Sequence, residues 1–173
     1  MNAEGLIGRL ERFPEAMCAA AAVVSAEDAK WKPDDGAWSI LEIVRHLGDE
    51  EVEDFRARLQ STLRDPAAPW TPIDPEGAAR ERRYNDGDLG EALSRFERER
   101  ADSVAWLRSL GDGVDWSVAH EHPKLGPITA ASLLASWAAH DALHLRQIAR
   151  RMFELAQRDG GGASTLYAGK WGA

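Results

Sequence analysis

The chain has 173 residues, 44% of them hydrophobic and 29% charged, the composition of one globular domain large enough to bury a core. Its net charge of −8 matches the sign of nucleic acid and of anionic membrane faces, which excludes nonspecific binding to either, and no basic run offsets it. A single cysteine, Cys18, excludes an internal disulfide and thiolate metal clusters and fits a reducing compartment.

Hydrophobic periodicity predicts an all-α protein of four long helices, with no strand and no solenoid-type repeat. The first helix covers roughly 2–24, with Leu6, Leu10, Phe13, Met17 and Val24 on its apolar face, and Pro14 should kink or restart it. A polar segment, Lys32-Pro33-Asp34-Asp35-Gly36, leads to Ser39, whose spacing to Glu42 is that of a capping box; the second helix starts there and runs to about Leu63. Residues 65–87 are rich in Pro, Asp and Gly and are expected to be a long connection with little regular structure, able to cross the end of a bundle. Asp88 and Glu91 repeat the start signal for a third helix over about 89–110, ended by Gly111. An irregular segment through Trp116, His120, His122, Pro123 and Pro127 precedes Thr129, the cap of a fourth helix reaching about Arg158. Gly160-Gly161-Gly162 then opens a short tail, 159–173, that carries Tyr167 and Trp171. The whole chain, 1–173, reads as one domain. No apolar run approaches the ~18–20 residues of a membrane span. The N-terminus has no cationic segment followed by a long apolar core, so a cytoplasmic location is expected.

His140 and His144 lie four apart in the fourth helix, so both imidazoles point the same way. His144 falls within the apolar stripe made by Leu133, Leu134, Trp137, Leu145, Ile148, Met152 and Leu155, and His140 at its edge. On the second helix His46 borders the stripe of Ile40, Ile43, Val44, Leu47 and Phe55, with Glu50 one turn on. Three inward imidazoles on facing helices are how bundles build metal sites, and neutral imidazole suits zinc, nickel, copper or iron. The competing reading is three hydrogen-bonded core histidines. His120 and His122, in a Pro/Gly loop, read as solvated or loop-anchoring.

Trp38-Ser39-x-x-Glu42-x-x-x-His46-Leu47, Arg82-Arg83-Tyr84-Asn85, His122-Pro123-x-x-Gly126-x-x-Thr129 and His140-Asp141-x-x-His144-x-x-Gln147-Ile148 occur in that order over most of the chain. Together they resemble the DinB/YfiT-like superfamily. The resemblance implies a four-helix bundle of up-down-down-up type and a divalent metal held by His46, His140 and His144. It also implies one of several activities: metal-dependent hydrolysis, or joining a low-molecular-weight thiol such as glutathione, mycothiol or bacillithiol to a small-molecule substrate. No second domain of the kind often carried by mycothiol-dependent isomerases follows the bundle, so that reaction is not expected.

Three neutral histidines leave a divalent ion its full charge and an open position, the arrangement of catalytic zinc, which lowers the pKa of bound water to about 7 and deprotonates a bound thiol. Zinc or nickel is the first expectation, then manganese or iron. Arg100 interrupts the third helix's stripe and Asp141 the fourth's, and a buried charge needs a partner. Arg100 is expected either to bind an anionic substrate or thiol carboxylate near the metal or to form a structural pair. Asp141 is expected to accept a hydrogen bond behind the ligands. Glu50 is a candidate general base or additional ligand, and Asp49 a weaker one. Trp38, Trp106 and Trp137 are expected as core and pocket walls. The alternative to an enzyme is a non-catalytic, metal-dependent small-molecule-binding or stress-response protein. Surplus apolar surface on such a bundle would admit a homodimer.

Overall fold

Each start signal in the sequence is used. The computed structural model describes residues 1–33 and 36–172, so Asp34 and Asp35 of the polar segment lie outside the described residues. Helix α1 is Ala3–Ala21. The second bundle helix is α2, Ile40–Glu50, continued by a π-helical turn, Glu51–Phe55, and by α3, Arg56–Arg64. Ser39 closes its capping box in full: its Oγ accepts from Glu42 N (3.1 Å), and Glu42 Oε2 accepts from Ser39 N (2.9 Å). The short α4, Pro75–Glu81, lies in the crossover, α5 is Leu89–Ser109 capped by Asp88, and α6 is Ala130–Asp159 capped by Thr129.

The direction of each helix follows from which of its residues share a core cluster. One cluster joins Leu10 near the start of α1, Leu59 in α3, Leu107 near the end of α5 and Leu134 near the start of α6. The other joins Met17 late in α1, Ile43 early in α2, Phe96 early in α5 and Leu155 late in α6. The first and last bundle helices therefore run one way and the middle two the other: an up-down-down-up four-helix bundle. Two consecutive helices with the same direction need a return path along the bundle's length, and residues 65–88 supply it.

Three expectations are corrected. Pro14 does not restart the first helix, because α1 continues through it. Proline lacks the N–H that would bond the Leu10 carbonyl one turn back. Arg100 Nη1 donates to that carbonyl instead, at 3.0 Å. The crossover is not structureless either: Asp74 Oδ1 caps α4 by accepting from Gly77 N (2.9 Å), with Pro75 at the first helical position. Finally, the segment before α6 contains a hairpin, β1 Ala119–His122 and β2 Gly126–Thr129, antiparallel with His120 opposite Ile128. Gly126 takes the left-handed conformation that its turn requires (φ +72°). His122 Nδ1 accepts from Lys124 N and Leu125 N within that turn, both at 3.2 Å.

The hairpin clamps the start of the crossover. His120 donates from Nδ1 to the Pro66 carbonyl (3.0 Å) and stacks on Trp70, while the Arg58 guanidinium covers Trp70 at 5.0 Å from the ring centre. The far end of the crossover is held by Asp49, which accepts from the Tyr84 hydroxyl and pairs with Arg82 and with Arg95. This places residues 73–76 over one face of the second bundle helix, where they become the outer wall of a cavity. No helix among the described residues is long and apolar enough to cross a membrane.

Candidate metal centre

His46 from α2 and His140 and His144 from α6 converge at the floor of that cavity, whose volume is about 770 Å³. Among the described residues they form the one cluster able to hold a metal ion, with a ligand nitrogen from each within 4.8 Å of the others. His140 Nε2 and His144 Nε2 are 3.0 Å apart, and the His46 ring centre lies 4.8 Å from that of His144 and 5.6 Å from that of His140. A zinc ion with Zn–N bonds of 2.0–2.1 Å separates tetrahedral nitrogens by roughly 3.4 Å, so small side-chain adjustments would close the site.

The protonation chemistry fits a cation. Burial, with His144 nearby, pushes His46 down to about 3. Burial and the neighbouring His144, His46 and Arg100 push His140 to about 3, and burial lowers His144 as well. All three imidazoles are therefore neutral at pH 7 and keep a free lone pair. His144 Nδ1 lies 2.7 Å from Gln147 Oε1, and with Nδ1–H donating to that oxygen the His144 lone pair is on Nε2, facing the other two rings. The donor set and its tautomer suit zinc, nickel, manganese or iron.

Trp38 packs edge-on to His46 (4.8 Å between ring centres) and Phe55 edge-on to His140 (5.0 Å), giving the floor two aromatic walls. Glu50 is on the cavity wall, with Oε1 3.6 Å from His46 Nδ1. Its burial and the adjacent Asp54 carboxyl push it well above the usual carboxylate range. Asp54 in turn pairs with Arg58 at 2.8 Å.

Two expectations about charged residues change. Arg100 does not face the cavity. It is 1% exposed, with Nη1 and Nη2 donating to Asp141 Oδ2 and Oδ1 (2.7 and 2.8 Å) and Nη2 also to Glu51 Oε1 (2.7 Å). Its four Nη–H donors are spent inside the core, the fourth on the Leu10 carbonyl, and the residue is not part of the cavity lining, so the structure places Arg100 in a structural pair. Asp141 spends both oxygens on this guanidinium, which leaves Gln147 as the residue that orients a candidate ligand. Asp49, the weaker base candidate, is occupied by Tyr84, Arg82 and Arg95; burial raises its carboxyl, but these donors outweigh it and hold the group below its usual range.

Sequence reasoning missed Gln147 and Arg151 as cavity residues. The signal was present: 140, 144, 147 and 151 follow the 4-3-4 spacing of one helix face.

A four-helix bundle that gathers neutral histidines from two helices beneath an open cavity has the arrangement from which helical bundles build metal sites. The chain belongs to the DinB superfamily, which it matches over residues 9–148. Among solved structures it is similar to YfiT from Bacillus subtilis, described as a probable metal-dependent hydrolase with an unusual four-helix bundle topology. The TM-score is 0.76 at 22% identity, covering 91% of this chain and 87% of that one, a likeness that establishes the fold. No curated protein matches the sequence.

Proposed function

We propose that this protein is a metal-dependent enzyme acting on a small molecule, with a divalent cation held by His46, His140 and His144. The observation that carries this reading is the convergence of three neutral imidazoles, two buried and one half-buried, on the floor of a cavity of about 770 Å³, large enough for a substrate. Zinc or nickel fits the all-nitrogen donor set best. When bound, the cation would act as a Lewis acid that acidifies a water or thiol brought to it. Hydrolysis is the first reaction class, and the description of YfiT as a probable metal-dependent hydrolase supports it by analogy of fold.

The protein's own residues do the rest. Gln147 fixes the His144 tautomer, and the aromatic rings of Trp38 and Phe55 shield the histidines from bulk water on two sides. Glu50, beside His46 on the cavity wall, holds its proton at neutral pH and is placed to donate it to a leaving group; a cation bound at the histidines would favour its carboxylate form, which would take a proton from the nucleophile or add an oxygen ligand. Transfer of a low-molecular-weight thiol is a second reading, favoured by a cavity that has room for a cosubstrate beside the substrate.

Elemental analysis of protein purified without chelator or affinity metal, beside a His144→Ala variant, tests the proposal. About one divalent ion per chain in the parent and a large loss in the variant are expected. No metal in the parent, after zinc, nickel and manganese have each been offered, would overturn it.

A further inference from the structure

The cavity has a second chemically distinct end. Arg151 lies on the same face of α6 as His140, His144 and Gln147, seven residues beyond His144, a rise of about 10 Å along the helix. It lines the cavity yet is only 4% exposed. Burying a guanidinium is costly unless a full counter-charge and aligned acceptors accompany it. Arg151 has half of that. Its Nη1 lies 3.0 Å from Glu154 Oε2, but the pair is not aligned as a hydrogen bond, and both atoms are left without one. The other oxygen of the same carboxylate, Glu154 Oε1, is taken by Arg150 Nε at 2.9 Å, and Arg150 also lines the cavity. Two guanidiniums therefore share one carboxylate, and the other carboxyl residues lining the cavity, Glu50, Asp54, Asp74 and Glu76, form no ion pair with either arginine.

We propose that Arg151, with Arg150 beside it, receives a carboxylate of the substrate, so that the molecule spans the chamber with its reacting group at the histidines and a monoanionic end at the arginines. The assignment rests on the cavity being the substrate chamber of the enzyme proposed above. A carboxylate matches the planar fork of a guanidinium, and its single charge is repelled less than a phosphate dianion in a cavity also lined by Glu50, Asp54, Asp74 and Glu76. The arginines thus name a substrate class, small carboxylic acids, and act as specificity residues for the chemistry at the histidines.

The test uses the zinc-loaded protein and two probes, adipic acid monohydroxamate and its terminal carboxamide counterpart, compared by isothermal titration. Both present the hydroxamate to the cation and differ only at the far end. The carboxylate probe is expected to bind about tenfold or more tightly than the carboxamide. Arg151→Met should abolish that preference while leaving carboxamide affinity within about twofold, which also shows that the variant is folded. Arg151→Lys should retain part of the preference and Arg150→Gln most of it. Equal affinities in the parent, or a preference that survives Arg151→Met, would overturn the proposal. Inorganic phosphate displacing the carboxylate probe more effectively than free adipate does would also overturn it, by reassigning the site to phosphate. Failure of the metal reading has a separate signature: zinc then strengthens neither probe. In that case adipate and adipamide are compared on metal-free protein by saturation-transfer NMR, where the adipate preference and its loss in Arg151→Met are still expected, and their absence overturns the proposal.

Discussion

Two clusters of ionisable residues lie side by side in this bundle, built from adjacent positions of the same two helices. Glu50 and His140 face the cavity, whereas Glu51 and Asp141, one residue further on, face the core. One step of helix, about 100°, separates an open site from a sealed one. In the sealed cluster the Nη groups of Arg100 donate to Asp141, Glu51 and the Leu10 carbonyl, and Trp137 Nε1 donates to Glu51 at 2.8 Å. Every bundle helix contributes to it, so it acts as a clasp. In the open cluster the ring nitrogens that face one another, His140 Nε2 and His144 Nε2 at 3.0 Å, are partnered within the cluster rather than by the rest of the chain. Charges paired with one another in the core mark structure; neutral imidazoles gathered beside a cavity mark a candidate ligand site.

The largest effect should come from the open cluster. His144→Ala is expected to take bound metal from about one ion per chain to near none by elemental analysis, with the fold intact by circular dichroism. The sealed cluster should respond in the opposite manner. Arg100→Leu strands two buried carboxylates and should cost about 3–5 kcal/mol in denaturant unfolding, while protein that remains folded still binds metal. A loss of metal in Arg100→Leu equal to that in His144→Ala, at unchanged stability, would erase the distinction between the clusters. Gln147→Leu sharpens it from the open side: metal affinity should fall about 10–100-fold, because His144 loses the partner that fixes its tautomer, with no change in the melting temperature of the metal-free protein. The smallest effect belongs to the helix that carries both clusters. Ser39→Ala removes an N-cap whose Oγ also donates to Asn85 Oδ1 at 2.6 Å, and should lower stability by about 0.5–2 kcal/mol without altering metal stoichiometry.

The caps at Ser39, Asp88 and Thr129 were legible because a cap is a local event: one side-chain oxygen and a backbone N–H within three residues. His46, His140 and His144 were legible as inward positions because helical phase follows from spacing. The Asp74-Pro75 start of α4 carried the same kind of signal, but it was submerged in a segment dense with proline and glycine. The hairpin escaped because four-residue strands containing Pro127 show too little alternation to register. The π-helical turn left no signal in composition at all, although it follows the inward-facing Glu50 and runs from the buried Glu51 to the buried Phe55.

By itself, then, the sequence determined the four amphipathic helices, their starting points and the face on which each histidine sits, since these depend on contacts within a few residues. Only the tertiary structure decided partners. It assigned Arg100 to Asp141 and Glu51 rather than to a ligand, gave the carbonyl orphaned by Pro14 to that same arginine, and left Arg151 with half a counter-ion at the end of the cavity. The physical reason is range: a helix face is set by local geometry, whereas the energy of a buried charge is set by whichever groups the rest of the chain brings within about 3 Å of it.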